Sequence, residues 1–183
     1  MQQLTGINAI VTSASTIVAS VIPNLQNDVP LIINAVQLVA TIVPIFMLTK
    51  VGRKPLTLFG NLGLAVIDIA LGILFVYQDD WKPAGMFIFA LLIVYMIIYG
   101  VSLGPVVWLY VPEIIPANIV PMATMMNWFG CSLCVIFSPI VTSKVGNSYP
   151  VFFFYGGLTL IFFIINVFLM VETRGKTTEE VSE

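Results

Sequence analysis

The chain has 183 residues, of which 59% are hydrophobic and 9% are charged, and its mean hydropathy is +1.04. About a quarter of the residues in a soluble domain are charged, so this composition excludes an ordinary soluble domain. The chain contains no histidine, which removes the usual general base and the commonest metal ligand. We therefore expect no enzyme and no cofactor, and the absence of a basic stripe argues against a nucleic-acid partner.

Six apolar segments follow one another along the chain, at residues 4–22, 31–48, 56–77, 84–110, 121–142 and 149–170. About 20 helical residues cross the hydrocarbon core of a bilayer. Strands of a membrane barrel would be about 10 residues long with alternating polarity, a pattern that is missing here. The segments predict an all-α membrane protein with six transmembrane helices in residues 1–171, followed by a short cytoplasmic tail in residues 172–183.

The first segment begins MQQLTGIN and places Thr5, Asn8 and Thr12 on one helical face. Amides are costly in hydrocarbon unless they find hydrogen-bond partners. They therefore either pair inside the fold or bind a solute. On a straight helix Gln2 and Asn8 would lie about 120° apart, so they converge on one ligand only if Gly6 lets the helix bend or if the ligand is wide.

The second and third segments also carry polar residues at helical spacing. Asn34, Gln37 and Thr41 share one face of the second, and Asn61 and Asp68 share one face of the third. A carboxylate at mid-bilayer costs about 2.5–3.5 kcal/mol. We expect Asp68 to be protonated or hydrogen-bonded opposite Asn61 and neighbouring helices, with a proton carrier as the alternative.

The fourth segment is over-long and is interrupted by Gly104 and Pro105. Proline lacks a backbone N–H and clashes with the preceding turn, which predicts a kink here and lets Trp108 turn toward a cavity. Discontinuous helices around a site at mid-membrane are a feature of transporters. Neutral amides together with an aromatic face suit a polyhydroxylated solute.

The fifth segment carries Asn127, Cys131, Cys134 and Ser138 at helical spacing. The two cysteines form a C-x-x-C pattern, which is a redox or zinc half-motif in other settings. Inside an apolar span, with no second pair and no histidine, we interpret them as buried free thiols.

Five of the seven cations lie on one side of the predicted spans. They are Lys50, Arg53, Lys54, Arg174 and Lys176. The positive-inside rule assigns that side to the cytoplasm, and with six spans both termini are then cytoplasmic.

Four stretches of sequence carry a family resemblance. They are QQLTGIN at 2–8, VGRK at 51–54, GPVVW with PEIIP across 104–116, and ETRGKT at 172–177. In this order and spacing they resemble the C-terminal half, helices seven to twelve, of a major facilitator superfamily sugar porter. The resemblance implies one half of that superfamily's fold and covers nearly the whole chain.

The resemblance also implies a sugar site, whose residues here are Gln2, Gln3, Asn8, Asn34, Gly100, Trp108, Asn127 and Trp128. The amides would bind sugar hydroxyls and Trp108 would pack on the sugar ring. Asn127 and Trp128 would stand at the edge of the site. Gly100 falls where some family members carry a sugar-contacting acid and others a glycine.

A cytoplasmic charge network is implied at Arg53, Glu113, Glu172 and Arg174, where it would hold the inward face closed. Two of the family's charged positions depart from the pattern, since this chain has Thr49 and Val120 there. These departures predict a weakened network without affecting the sugar site.

Alternating access rocks one six-helix half against another, and this chain supplies one half. The partner is an N-terminal six-helix half or another copy of the chain, and a start at Met1 directly before the glutamine pair favours a fragment. The expected function is transport of a hexose-like monosaccharide across the plasma membrane. The alternatives are a sugar sensor or a non-transporting fragment of a carrier.

Overall fold

The computed structural model describes residues 1–19, 24, 27–48, 50–81 and 83–176, with Ser13, Ser15 and Ile17 described by their backbone alone. Thr49 and most of the predicted tail, residues 177–183, lie outside this part of the chain. The described part is helical and has no strand. A 3-10 turn, Gln2–Thr5, precedes α1 Ile7–Ala19, α2 Val29–Ala40, α3 Val43–Met47, α4 Arg53–Val76, α5 Ala84–Val101, α6 Leu103–Ile114, α7 Val120–Val145 and α8 Tyr149–Leu169.

Five helical stretches of the described chain are long and apolar enough to cross a membrane. They are Val29–Met47, Arg53–Val76, Ala84–Ile114, Val120–Val145 and Tyr149–Leu169. The first predicted span is represented by the 3-10 turn and α1 as far as Ala19, and residues 20–23 lie outside the description. The all-helical prediction is confirmed, and five of the six predicted spans correspond to these stretches.

Two helices extend beyond the predicted apolar segments at ends that contain a proline. The start of α4 is Arg53 rather than residue 56, so Pro55 lies in its first turn, where no N–H is needed. The end of α6 is Ile114 rather than residue 110, and Pro112 lies inside the helix near that end. Arg53 and Glu113 are therefore both helical.

The centre of the bundle is formed by α4 packed along α8. Gly156 brings α8 close to Ile69 and Asp68, and the rings of Phe75 and Phe152 stack with centroids 5.2 Å apart. By contrast, α7 leaves most of its side chains exposed.

Asp68 is fully buried in α4. Neither of its carboxyl oxygens has a hydrogen-bond partner among the described residues, and neither does the side-chain oxygen of Asn61. The expected hydrogen bond opposite Asn61 is therefore not formed, and a protonated Asp68 is the interpretation that fits its surroundings.

Candidate functional site

The first polar segment is broken at Gly6. The 3-10 turn ends there, with Gly6 in the left-handed region at φ 85° and ψ 4°, and α1 starts at Ile7. A Cβ on Gly6 would lie 2.6 Å from a ring carbon of Tyr155. Both the backbone angle and the ring require glycine. Of the two alternatives that the sequence left open, a bend at Gly6 or a wide ligand, the structure has the bend.

Three side chains satisfy the carbonyl groups around this break. The hydroxyl of Tyr95 donates to the Thr5 carbonyl at 2.6 Å, and the Thr5 hydroxyl donates to the Gln2 carbonyl at 2.9 Å. The Cys134 thiol donates to the Gln3 carbonyl at 3.2 Å. Backbone groups in the membrane need such partners, so these contacts stabilise the bend.

Two of these three residues, Tyr95 and Cys134, were not predicted from the sequence to support the site. Tyr95 is fully buried within an otherwise apolar helix, and a buried tyrosine hydroxyl usually has a partner, which is the signal that was available. Cys134 was interpreted only as a buried thiol. Its contact with the first segment is between residues far apart in the chain, which helical periodicity does not reveal.

Four side-chain amides form a continuous series of hydrogen bonds, which we call the amide chain: Asn8, Gln3, Asn127 and Gln2. Asn8 Nδ2 donates to Gln3 Oε1, and Gln3 Nε2 donates to Asn127 Oδ1 at 2.5 Å. Asn127 Nδ2 then donates to Gln2 Oε1 at 2.9 Å. The amides from the first and fifth predicted spans are thus brought together.

The amide chain ends on the backbone of α6. Gln2 Nε2 donates to the Leu103 carbonyl at 3.2 Å and to the Gly104 carbonyl at 3.1 Å. Gln2 is 3% exposed. It therefore joins the break at Gly6 to the first turn of α6.

The second break lies at Ser102, with φ −116° and ψ −92°, between α5 and α6. The predicted discontinuity is confirmed: it lies within the stretch 99–105 of the fourth segment, where a break is expected, although the kink was expected three residues later at Pro105. Pro105 falls in the first turn of α6, where its missing N–H costs no hydrogen bond. The Ser102 hydroxyl donates back to the Ile98 carbonyl at 2.5 Å.

Trp108 and Asn127 line a small hollow of about 40 Å³. Trp108 is 45% exposed, and Asn34 is exposed on α2 without a hydrogen bond among the described residues. Trp128 is 57% exposed and does not line the hollow. Small-molecule sites have volumes of about 300–1,000 Å³, so the surface beside Trp108 is an open wall rather than an enclosed pocket.

Gly100 packs α5 against α2. A Cβ there would lie 2.7 Å from the Cβ of Ala40. The immediate surroundings of Gly100 are therefore a helix contact, and its contact with a sugar stays a prediction.

We expect Gly100→Ala to lower the melting temperature of the purified protein, because the new methyl overpacks the contact with Ala40 by about 1–3 kcal/mol. Gly157→Ala is the matched control, since nothing lies within 4 Å of a Cβ at that helical position. Alanine is favoured over glycine in a helix by about 1 kcal/mol. A Gly100→Ala protein as stable as the control would contradict the packing role.

A larger cavity lies away from the amide chain. It has a volume of about 540 Å³ and lies between α1, the end of α4, α7 and the start of α8. Thr12, Gln78, Ser138 and Asn147 are among its lining residues. Sequence analysis did not identify this cavity.

Charged residues collect at one end of the bundle, which we call the charged end: Arg53, Glu113, Glu172 and Arg174. The Arg53 guanidinium donates to both carboxyl oxygens of Glu113, at 2.6 and 3.2 Å. The Thr173 hydroxyl donates to the same carboxylate at 2.6 Å. The network forms between α4, α6 and the segment after α8, without an arginine at position 120.

Glu172 accepts hydrogen bonds from the start of α4. Its carboxylate accepts the backbone N–H groups of Arg53 at 2.9 Å, Lys54 at 3.0 Å and Arg174 at 3.0 Å. Burial raises the pKa of Glu172, but these N–H donors and the Arg53 charge outweigh it and hold the pKa below its usual value. The Arg174 side chain donates to the Lys50 carbonyl rather than to a carboxylate. Among the described residues the ion pair of this end joins Arg53 and Glu113, and Glu172 binds the backbone N–H groups of Arg53 and Arg174.

A family model and several known proteins match nearly the whole chain. The family model described as sugar (and other) transporter matches residues 1–183. Hexose transporter 1 of Plasmodium vivax is 31% identical over 96% of this chain and 36% of its own length. Facilitated trehalose transporter Tret1 of Polypedilum vanderplanki is 30% identical over 98% of this chain and 37% of its own length.

Among solved structures, the chain is similar to the proton:xylose symporter XylE of E. coli, solved with 6-bromo-6-deoxy-D-glucose bound. The TM-score is 0.85 at 25% identity, over 98% of this chain and 39% of the symporter. The chain therefore spans between 36% and 39% of the length of these three proteins.

The long apolar helices make the chain an integral membrane protein, and its fold is that of the major facilitator superfamily. The chain belongs to the sugar (and other) transporter family. Members of this family are carriers rather than enzymes, in agreement with the composition.

Proposed function

We propose that this chain forms one wall of the site through which a sugar crosses the membrane. The observation that carries the proposal is the amide chain, held between two helix breaks beside Trp108. Gln3, Asn8, Asn34 and Trp108 face the sugar in this proposal. The other four predicted site residues, Gln2, Gly100, Asn127 and Trp128, stand behind them or at their edge.

A second six-helix unit closes the site in this proposal. The hollow beside Trp108 is too small for a sugar, and alternating access needs two units that rock against each other. The second unit comes from an N-terminal half or from another copy of the chain. Residues 1–171 then act as one six-helix unit, with residues 172–183 as its tail.

The charged end gates this movement in the proposal. The ion pair between Arg53 and Glu113 and the contacts of Glu172 fasten α4, α6 and the tail together. Lys50 and Arg174 lie at the same end, which the positive-inside rule assigns to the cytoplasm. Both termini are then cytoplasmic, and the plasma membrane is the proposed location.

The proposed cargo is a hexose-like monosaccharide. Neutral amides supply both donors and acceptors for hydroxyl groups, and Trp108 offers an apolar face to the C–H surface of a sugar ring. The relatives are named as transporters of a hexose, of trehalose and of xylose. The binding experiment therefore compares monosaccharides with a disaccharide.

Gln3→Leu tests the site directly. We expect it to weaken sugar binding by roughly ten- to a hundredfold, because the loss of a buried hydrogen bond costs about 1–3 kcal/mol. Tryptophan fluorescence of the purified protein, titrated with glucose, xylose and trehalose, measures both affinity and preference. Gln78→Leu, the same substitution away from the amide chain, serves as the control.

Both measurements are made on the assembly of this chain with its second six-helix unit, because the hollow in this chain alone is too small for a sugar. Two results would contradict the proposal: unchanged affinity in Gln3→Leu, or no saturable response to any sugar in the unsubstituted assembly. A preference for trehalose would instead correct the size of the cargo.

A further inference from the structure

We propose that the cavity of about 540 Å³ between α1, α4, α7 and α8 is a second binding site, which takes a neutral single-chain amphiphile with a hydroxyl head. We call it the α1–α8 cavity. The matching chemical class is a long-chain alcohol or a monoacylglycerol. This inference does not rest on the proposed sugar site, because the amide chain is separate from this cavity.

The α1–α8 cavity lies at the end of the bundle opposite the charged end. Helix α4 begins at Arg53 in the charged end and is about 36 Å long at 1.5 Å per residue. Phe75 and Gln78, at and just beyond its other end, line the cavity, as do residues 146–148 between α7 and α8. The cavity therefore reaches from the helix ends, at the level of a membrane surface, into the bundle.

The lining of the cavity changes from polar to apolar with depth. Gln78 and Asn147 lie at the helix ends, whereas Ile10 and Phe152 are buried and form part of the inner wall. The Phe75 ring stacks on that of Phe152 and extends the apolar surface. An amphiphile in a membrane leaflet has the same arrangement, with its polar head at the surface and its apolar chain below.

Two polar side chains deeper in the cavity already have partners. The Ser138 hydroxyl donates to the Cys134 carbonyl at 2.9 Å and lies 2.8 Å from the Tyr155 hydroxyl. The Thr12 hydroxyl donates to the Asn8 carbonyl at 2.7 Å. The protons of Ser138 and Thr12 are thus used within the protein, and an apolar chain beside them breaks no hydrogen bond.

The amide of Gln78 is the polar group that an occupant would satisfy. Its Oε1 atom is buried and has no hydrogen-bond partner among the described residues. Such an atom costs about 1–3 kcal/mol. A hydroxyl is a suitable partner for this amide, because it can donate to Oε1 and can also accept from the amino group.

Charge excludes the commoner lipid head groups. The described residues that line the cavity include no charged side chain. A phosphate or a fatty-acid carboxylate would therefore be buried without a counter-charge, which is costly. The volume lies within the range of about 300–1,000 Å³ for small-molecule sites, so one apolar chain with a neutral head is the occupant that fits.

The wall at the mouth is fixed by Asn147. Its Nδ2 atom donates to the Phe75 carbonyl at 3.0 Å, and its Oδ1 atom accepts the Tyr149 N–H at 3.1 Å. These two contacts fasten the end of α4 to the start of α8. The mouth is therefore held open by the fold before an occupant enters.

Labelling with an octanol that carries a photoactivatable diazirine tests the site. The label would be applied to the assembly of this chain with its second six-helix unit, in phosphatidylcholine vesicles, and located by mass spectrometry. We expect saturable labelling within residues 75–78 and 138–152, which excess unlabelled octanol suppresses. Glucose is expected not to suppress it.

Ser143→Trp tests whether the cavity itself holds the label. Ser143 is exposed, lines the cavity and lies on α7, so an indole there would obstruct the cavity, and we expect labelling to fall about fivefold or more. Ser132→Trp is the matched control, because Ser132 is also exposed on α7 and also donates to its own helix, but does not line the cavity. It is expected to keep the labelling.

Gln78→Leu tests the polar contact. We expect octanol to compete about fivefold more weakly in this variant, since its hydroxyl loses a hydrogen bond, while octane competes equally well in both proteins. The same vesicles are used throughout, so differences in membrane partitioning cancel between variants. Gln37→Leu, on α2 and away from the cavity, is the matched control and is expected to leave both competitors unchanged.

Three results would overturn this inference. The first is unsaturable label spread over the lipid-facing helices, which indicates contact with bulk lipid only. The second is equal labelling of Ser143→Trp and Ser132→Trp, or, if Ser143→Trp does not fold, octanol competition that Gln78→Leu leaves unchanged. The third is suppression by glucose but not by octanol, which would make the occupant a sugar. Failure of the sugar titrations alone would leave this site standing.

Discussion

Replacement of Gly6 by alanine is expected to lower sugar affinity by about thirtyfold or more. A left-handed backbone costs a residue with a Cβ about 1–2 kcal/mol, and overpacking against a ring adds about 1–3 kcal/mol. The new Cβ would lie 2.6 Å from the Tyr155 ring. The helix can relieve both costs by straightening, which would move Gln2 and Gln3 away from Asn8.

Gly146→Ala is the control for Gly6→Ala. Gly146 also has a positive φ, 74°, but nothing lies within 4 Å of a Cβ there. Alanine at position 146 would therefore have the backbone strain but no contact with an aromatic ring. Sugar titrations of the two variants would separate these contributions. Equal affinities in Gly6→Ala and Gly146→Ala would show that the bend at Gly6 does not organise the site.

Loss of the Glu172 carboxylate is expected to loosen the start of α4. The N–H groups of Arg53 and Lys54 bind different oxygens of the carboxylate. In Glu172→Gln one of these oxygens becomes an amino group, so one of the two amides loses its acceptor and the other keeps only an uncharged one. Charged hydrogen bonds at a partly exposed position contribute about 1–2 kcal/mol, and a carboxylate at a helix N-terminus is favourable. Hydrogen exchange of these amides should accelerate by about five- to thirtyfold.

The same contacts predict a pH dependence with a definite sign. The pKa of Glu172 is lower in the folded state than its ordinary value of 4.5, so the unfolded state binds more protons. The stabilisation is therefore complete above pH 4.5 and is lost as the pH falls through the lowered pKa. Glu172→Gln should remove this acid-dependent step from the exchange profile of α4.

Asp79→Asn removes one negative charge from an exposed loop beyond the other end of α4 and serves as the control. It should leave exchange at Arg53 and Lys54 unchanged. The capping role of Glu172 would be contradicted if both variants accelerated exchange to the same extent. It would also be contradicted if Glu172→Gln kept the acid-dependent step.

Much of the helical architecture could be predicted from the sequence because it depends on local properties. Apolar length identified the membrane spans, and Gly6 marked a break because only glycine takes that backbone angle without strain. The second break was predicted near Pro105 but lies at Ser102, since proline is tolerated in a first helical turn. For the same reason α4 can start at Arg53, with Pro55 in its first turn.

The candidate site was predictable in composition but not in connectivity. The cost of amides in an apolar span selected Gln2, Gln3 and Asn8 as candidate solute ligands, and helical spacing placed Asn127 on a polar face. Neither source showed that these amides bind one another, because each hydrogen bond between Asn127 and the first segment joins residues more than 120 positions apart. Gly100 was assigned to the site by resemblance, whereas its surroundings are a helix contact.

The sequence by itself determined the membrane spans, the break at Gly6 and the supply of neutral polar side chains, because these follow from hydropathy and from backbone chemistry. Only the tertiary structure decided that Gln2 binds the carbonyls of α6, that Tyr95 and Cys134 satisfy the broken turn, and that Glu172 caps α4. Those contacts depend on how far one helix is rotated and shifted against another. That packing is a property of all the helices together, and no single segment of the sequence contains it.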